Sequence, residues 1–494
     1  MNVAAIIYIL GYVLTIEAAF MLLPCITAII YGEKQGIAFL IVMLITLAVG
    51  TLFRRKKPKK TGYYAREGFL IVALSWIAMS AFGCLPFVIN GDIPNFIDAL
   101  FETVSGFTTT GASILSAVEP LAKCSLMWRS FTHWIGGMGV IVFLLAIIPL
   151  AGGQNIQLMR AESPGPSVGK LVPKIKETAM LLYKIYMVLT FVEMGLLIAC
   201  RMPVFDSIAI AFGTAGTGGF GVRNSSCGEY TPLQQNVITV FLVLFGINFN
   251  MYYFIIAKKF KQAFNMEEVK VYLLIIICSV FIIGMNIMSH FPSGYEAFRT
   301  AAFQVGSIIS TTGFSSADFN AWPWLSRSLL VAIMIVGACA GSTAGGIKVS
   351  RLIILLKGIK KEVYKIFHPR SVQCITLEGR PISEVVERTA FVFFGAYIMI
   401  LLISFVVVAF NGYSSTTSLT AVIACISNIG PGLDLVGPMG NYGFFSVLTK
   451  SVLIFDMLAG RLEVFPMLLL IMPAAWRHSG DKGRRKGKIK DEFN

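Results

Sequence analysis

Charge is scarce in this sequence. Only 14% of its 494 residues are Asp, Glu, Lys or Arg, against 56% hydrophobic residues, and the mean hydropathy is +0.75. That balance excludes a water-soluble fold and fits a polytopic membrane protein. Histidine is scarcer still, with four in the chain, and the nine cysteines form no CxxC pair, so no metal-ligand spacing is present. Most cysteines lie in apolar stretches and read as small core residues; Cys124 and Cys227, in loops, are the pair left open to a disulfide. A basic leader and a small-residue cleavage site are missing from the first apolar stretch, which is read as a retained helix. Phosphate loops are lacking too. Gly341 and Gly346 have the P-loop spacing, but Lys348 stands one position late with no Ser or Thr after it, and no βαβ unit surrounds Gly213 to Gly219.

What is present is a series of ten apolar stretches, at residues 3–31, 36–53, 68–90, 125–150, 179–200, 234–257, 270–289, 328–357, 389–410 and 443–473. Lipid offers backbone groups no partner, so these are expected to be helices. The net charge of +15 sits in the segments between them. With the N-terminus inside, Arg54 to Lys60, Gln154 to Lys176, Lys258 to Lys270, Lys357 to Arg388 and the Arg477 to Lys490 tail all face the cytoplasm, the positive-inside pattern rather than a nucleic-acid footprint. The tail is a topology anchor or a contact for anionic membrane lipids or a partner.

Four of the opposite loops begin with a short apolar run and end in a Gly-centred string. They read Asp98 to Thr108 then Thr109-Thr110-Gly111-Ala112; Asp206 to Gly216 then Thr217-Gly218-Gly219-Phe220; Thr300 to Ser310 then Thr311-Thr312-Gly313-Phe314; and Thr417 to Ser427 then Asn428-Ile429-Gly430-Pro431. Aligned on the central glycines, Asp98, Asp206, Thr300 and Thr417 fall in register and are expected to cap short helices. The strings recur about every hundred residues, so the internal repeat is span, short helix, Gly string, span. Two crossings per repeat give all four one orientation, related by an axis along the membrane normal. Non-helical backbone at membrane depth must line a wet cavity, so that axis is expected to be a pore. Helix C-termini aimed at its centre, and carbonyls of the Gly strings, suit a cation.

The Thr311-Thr312-Gly313-Phe314-Ser315 string and its three looser copies resemble the one-glycine filters of the Trk/Ktr/HKT superfamily. The Trp134-Ile135-Gly136-Gly137-Met138-Gly139 segment, the Ala161-Glu162-Ser163-Pro164-Gly165-Pro166 loop and two extra N-terminal helices are similar to its Trk membrane subunit. Gly218 departs from Thr110, Thr312 and Ile429 at the same position. The resemblance implies an all-α polytopic fold of four span, pore-loop, span repeats around a pseudo-fourfold axis, divided as 1–60 (two extra helices), 61–176, 177–266, 267–380 and 381–494. It also implies K+ (and Rb+) uptake across the bacterial cytoplasmic membrane through a filter of Thr109, Thr110, Gly111, Thr217, Gly218, Gly219, Thr311, Thr312, Gly313, Asn428, Ile429 and Gly430. Its partners are a second copy in a homodimer and a cytosolic nucleotide-binding (TrkA-like) regulatory subunit. No cofactor is implied. A sodium-permeable or sodium-coupled relative is the same-class alternative; a glycine in all four repeats, Gly111 included, favours potassium. An intramembrane enzyme or receptor would need titratable groups converging at depth or a soluble module, and neither is seen.

The eighth stretch is interrupted by the small residues from Gly337 through Gly341 and Gly345 to Gly346, read as an intramembrane gate by the same resemblance or as close helix packing. Arg461, between Asp456 and Glu463, is either half of a buried ion pair with one of them or, by the resemblance, a positive barrier beside the gate. Glu17 and Glu193 are expected to hydrogen-bond between helices, and His133 to be a satisfied helix-end histidine. Asp318 and Asp434 follow the filter glycines and are either cation-concentrating groups or ordinary loop acids.

Overall fold

A computed structural model describes residues 2–58, 65–147, 175–371 and 373–476. The 161–166 loop and the tail from Arg477 lie outside the described residues. Among the described residues the chain is mostly helical, with a two-stranded hairpin pairing Thr376–Leu377 with Arg380–Pro381. Among the described residues six helices are long and apolar enough to cross a membrane: Val3–Tyr31, Gly36–Arg54, Arg66–Asn90, Met180–Ala199, Glu267–His290 and Glu384–Ala409. Lys123–Ile147 is a further 25-residue helix.

Three of the ten stretches are broken rather than continuous. The sixth runs as Pro232–Gly246 and Phe249–Ile256, bent by 90°, because Ile247 is extended and the Asn248 side chain turns back to accept the Asn250 N–H at 3.0 Å. The eighth runs as Trp324–Val336 and Val349–Phe367, so its non-helical part includes the expected glycine run and continues through Lys348. The tenth stops at Arg461 and resumes at Phe465, since Glu463 and Val464 both take positive φ. An unbroken sixth and tenth helix was therefore the wrong expectation. Hydropathy does not register one or two residues that leave the helical region.

The first two helices pack backbone to backbone: a Cβ on Gly11 would lie 2.7 Å from Gly50 O, and one on Gly50 would lie 2.9 Å from Gly11 O. Four short helices then occupy the loops: Phe96–Phe107, Val204–Gly216, Gly294–Ile309 and Ser415–Ile426. Each begins earlier than the sequence register suggested. The capping side chains are Asn95, Ser293 and Ser414, which accept from Ile97, Glu296 and Thr417 N–H, while Pro203 precedes the second helix. Asp98 and Asp206 sit in the first turn, where a carboxylate still suits the helix dipole. Asp98 pairs with Lys450 at 2.7 Å, and Asp206 accepts from the Tyr230 hydroxyl at 3.1 Å. Thr300 is interior to the third helix.

Candidate functional site

The four short helices end in one and the same way. In the first, Thr109 N–H returns to Gly106 O and Thr110 N–H to Ser105 O; in the third, Thr311 returns to Ile308 and Thr312 to Ser307. Thr217 with Gly218, and Asn428 with Ile429, repeat the pair. This is a Schellman termination, which needs a left-handed residue at its turn. That residue is Thr109, Thr217, Thr311 and Asn428, at φ of 55°, 55°, 58° and 56°. A β-branched threonine in this region costs about 1–3 kcal/mol, tolerated only where the surroundings over-determine it.

Two residues later comes the central glycine, and the four close a ring. A Cβ on Gly111 would lie 2.0 Å from Gly218 O, one on Gly219 2.0 Å from Thr312 O, one on Gly313 1.9 Å from Ile429 O, and one on Gly430 2.7 Å from Thr110 O. Each glycine thus faces the carbonyl just before the next glycine, the order runs one, two, three, four and back to one, and no side chain fits at any of them. All four glycines line a single open vestibule. The twelve residues expected to act together are brought to one place, and the four C-terminal helix ends that precede them carry partial negative charge.

Side chains behind the ring hold it. Thr108 and Thr110 hydroxyls lie 2.8 Å apart, as do those of Ser310 and Thr312. Tyr442 OH donates to Gly430 O at 2.7 Å. Glu102, buried against Arg129, accepts Ser113 Oγ and the Ile114 N–H. Asn428 Nδ2 donates to Thr110 Oγ1 at 2.9 Å, joining the fourth repeat to the first. His133, expected only as a helix-end residue, is fully buried with Nδ1 at 2.8 Å from Gly106 O and Nε2 at 3.2 Å from Phe220 N.

The interrupted eighth crossing lies against the ring. Gly345 N–H donates to Thr311 Oγ1 at 2.7 Å, and a Cβ there would lie 2.4 Å from Ser427 O. Gly337 and Gly346 pack on each other, and Gly341 O accepts the Phe249 N–H across the break in the sixth crossing. The Arg461 guanidinium donates to Thr343 O at 2.6 Å and to Gly136 O at 2.7 Å, so it spans from the interrupted segment to the fourth crossing. Of its two expected partners, Asp456 accepts from Ser404 and Glu463 accepts from Arg351 at 2.6 Å.

The remaining acids divide by burial. Asp434 accepts Ser414 Oγ at 2.5 Å and Thr417 Oγ1 at 2.6 Å, and these bonds hold its carboxyl below the usual carboxylate range. Asp318 caps the 3-10 turn at Phe319–Ala321. Both are exposed loop acids engaged in local hydrogen bonds. Glu193 is buried; Glu17 is buried too and makes no hydrogen bond among the described residues. Cys124 and Cys227 are buried free thiols. The residues that sequence reading passed over are Glu102, Asn248 and Glu268, whose only one-dimensional signal is a polar group beside an apolar run.

A family model described as TrkH, cation transport protein, matches residues 33–477. The Trk system potassium uptake protein TrkH of Salmonella typhimurium is 35% identical over 488 residues, covering 97% of this chain and 100% of that protein. TrkG of Escherichia coli, another Trk system potassium uptake protein, is 30% identical over 482 residues, covering 96% and 99%. The crystal structure of the potassium transporter TrkH from Vibrio parahaemolyticus superposes with a TM-score of 0.86 at 32% identity, covering 97% of this chain and all of that one. The match in sequence, length and fold leads to one conclusion: this chain belongs to the TrkH family of cation transport proteins and is a multi-pass protein of the cytoplasmic membrane, not an enzyme.

Proposed function

We propose that this chain is the pore-forming subunit of a potassium uptake system, conducting K+ and Rb+ through the ring of Gly111, Gly219, Gly313 and Gly430. The closed order of that ring carries the reading, because it provides four equivalent carbonyls and four helix C-termini around one axis. Backbone oxygens of the twelve string residues replace the hydration shell of a K+ ion, which is the transported species and not a cofactor. Similarity to proteins named for potassium uptake supports potassium as the cargo. The positive-inside pattern supports an orientation with the vestibule outside and the interrupted segment on the cytoplasmic side of the filter.

In this reading the segment from Gly337 to Gly346 is the gate, and Arg461, bonded to its Thr343, is the positive barrier beside it. The relatives are named as members of a Trk system, which supports a multi-component assembly: a homodimer of this chain on a cytosolic nucleotide-binding regulatory subunit. Purified protein in liposomes tests the function. Rb+ uptake that K+ competes with and Na+ does not is expected; equal competition by Na+ reassigns the cargo, and no cation flux with or without a cytosolic partner overturns the reading.

A further inference from the structure

The second filter string has no side chains where the others have them. Counting back three and one from the central glycine, the first repeat has Thr108 and Thr110 and the third Ser310 and Thr312, each pair fastened by a hydroxyl contact of 2.8 Å. The second repeat has Gly216 and Gly218. The space is taken by His133: a Cβ on Gly218 would lie 2.1 Å from its Cγ, and one on Gly216 would lie 2.2 Å from its carbonyl oxygen. Glycine at 218 is therefore the consequence of an imidazole supplied by another element.

The hydrogen bonds fix which imidazole this is. Gly106 O only accepts, so Nδ1 carries the proton; Phe220 N–H only donates, so Nε2 presents its lone pair. The neutral Nδ1–H tautomer joins the last turn of the first short helix to the residue after Gly219, and the Phe220 ring packs tilted by 41° against the same ring at 4.2 Å between centroids. Both bonds together need a side chain with a donor and an acceptor on opposite edges.

We infer that His133 is the positioning residue of the second filter strand, and that cation discrimination at Gly218 and Gly219 depends on its neutral Nδ1–H imidazole bridging Gly106 and Phe220. This rests on the filter reading, and the experiment separates the two. Rb+ uptake against Na+ competition and melting temperature are measured for Gly313→Ser, His133→Phe, Gly218→Thr and His133→Ala combined with Gly218→Thr. Gly313→Ser and His133→Phe are each expected to reduce discrimination by about tenfold or more. Gly218→Thr alone does the same through its clash, and the double variant, with room for the threonine, regains part of it. Discrimination changed by Gly313→Ser but not by His133→Phe overturns the inference and leaves the filter standing; discrimination unchanged by either overturns both. Where His133→Phe does not fold, 15N spectra of the wild-type protein decide: a protonated Nδ1 with a bare Nε2 supports the inference, and the opposite tautomer or an imidazolium overturns it.

Discussion

The Glu268 carboxylate receives the Ala340 N–H at 2.6 Å, so the start of the seventh crossing holds the interrupted segment of the eighth. The same oxygen accepts Ser350 N–H at the far end of that segment, and the other accepts Asn248 Nδ2 from the break in the sixth crossing. Glu378, at the tip of the hairpin, accepts the N–H groups of Glu267 and Glu268. The breaks in the sixth and eighth crossings thus meet at one buried carboxylate. Removing it takes the partner from three buried donors, the Ala340 and Ser350 N–H groups and the Asn248 amide, at roughly 1–3 kcal/mol each. Glu268→Ala is therefore expected to lower the melting temperature and raise basal Rb+ flux, and Glu268→Gln, which keeps an acceptor, to do so less. Basal flux equal to wild type in a folded Glu268→Ala protein means that other contacts hold the segment.

At the ring, a side chain in place of any central glycine meets a carbonyl of the next repeat. Gly313→Ser and Gly111→Ser are expected to reduce K+ over Na+ discrimination or total flux far more than Asp318→Asn, because Asp318 only caps a short turn. Competition assays with the three variants check this. Equal effects from all three count against carbonyl coordination by the strings.

Shortening the segment between Gly337 and Gly346 removes the backbone that contacts Thr311 and Ser427. Deletion variants that reach the membrane are expected to conduct faster than wild type in the absence of a cytosolic partner. Flux no faster than wild type makes the segment a packing element.

Arg461 both carries a charge and braces two carbonyls, and the two roles separate by substitution. Arg461→Ala removes both and is expected to raise Rb+ flux, at a cost of roughly 1.5–3 kcal/mol for each charge-assisted hydrogen bond lost. Arg461→Lys keeps the charge but not the planar fork. Slow flux in Arg461→Lys supports an electrostatic barrier; flux as fast as in Arg461→Ala shows that the brace, not the charge, closes the path.

Asp434 supplies a pH signature outside the membrane. Its carboxyl is depressed by the Ser414 and Thr417 hydroxyls, so it binds protons less well folded than unfolded. Its stabilising contribution is present above the unfolded value of about 3.9 and is lost as pH falls through the lower folded value. Its contribution to the melting temperature is expected to be constant between pH 5 and 8, and the acid-side decline to be shallower in Asp434→Asn.

Hydropathy, the positive-inside bias and four glycine strings are properties of neighbouring residues, and they were enough to place the chain in a membrane and to align the strings. Glycine at 111, 219, 313 and 430 was legible because the left-handed turn and the close carbonyl leave no room for any other residue. The starts of the short helices were misplaced because the aligned Asp and Thr positions are acceptable caps in isolation, while Asn95, Ser293 and Ser414 do the capping. What only the tertiary structure decided lies between residues far apart in the chain: the closed order of the ring, the reach of Arg461 to Gly136 and Thr343, the hold of Glu268 on Ala340, and the imidazole that makes Gly218 a glycine. A buried polar side chain chooses its partner by the distance and direction of a backbone group on another element, and that choice leaves no period or composition in the sequence to read.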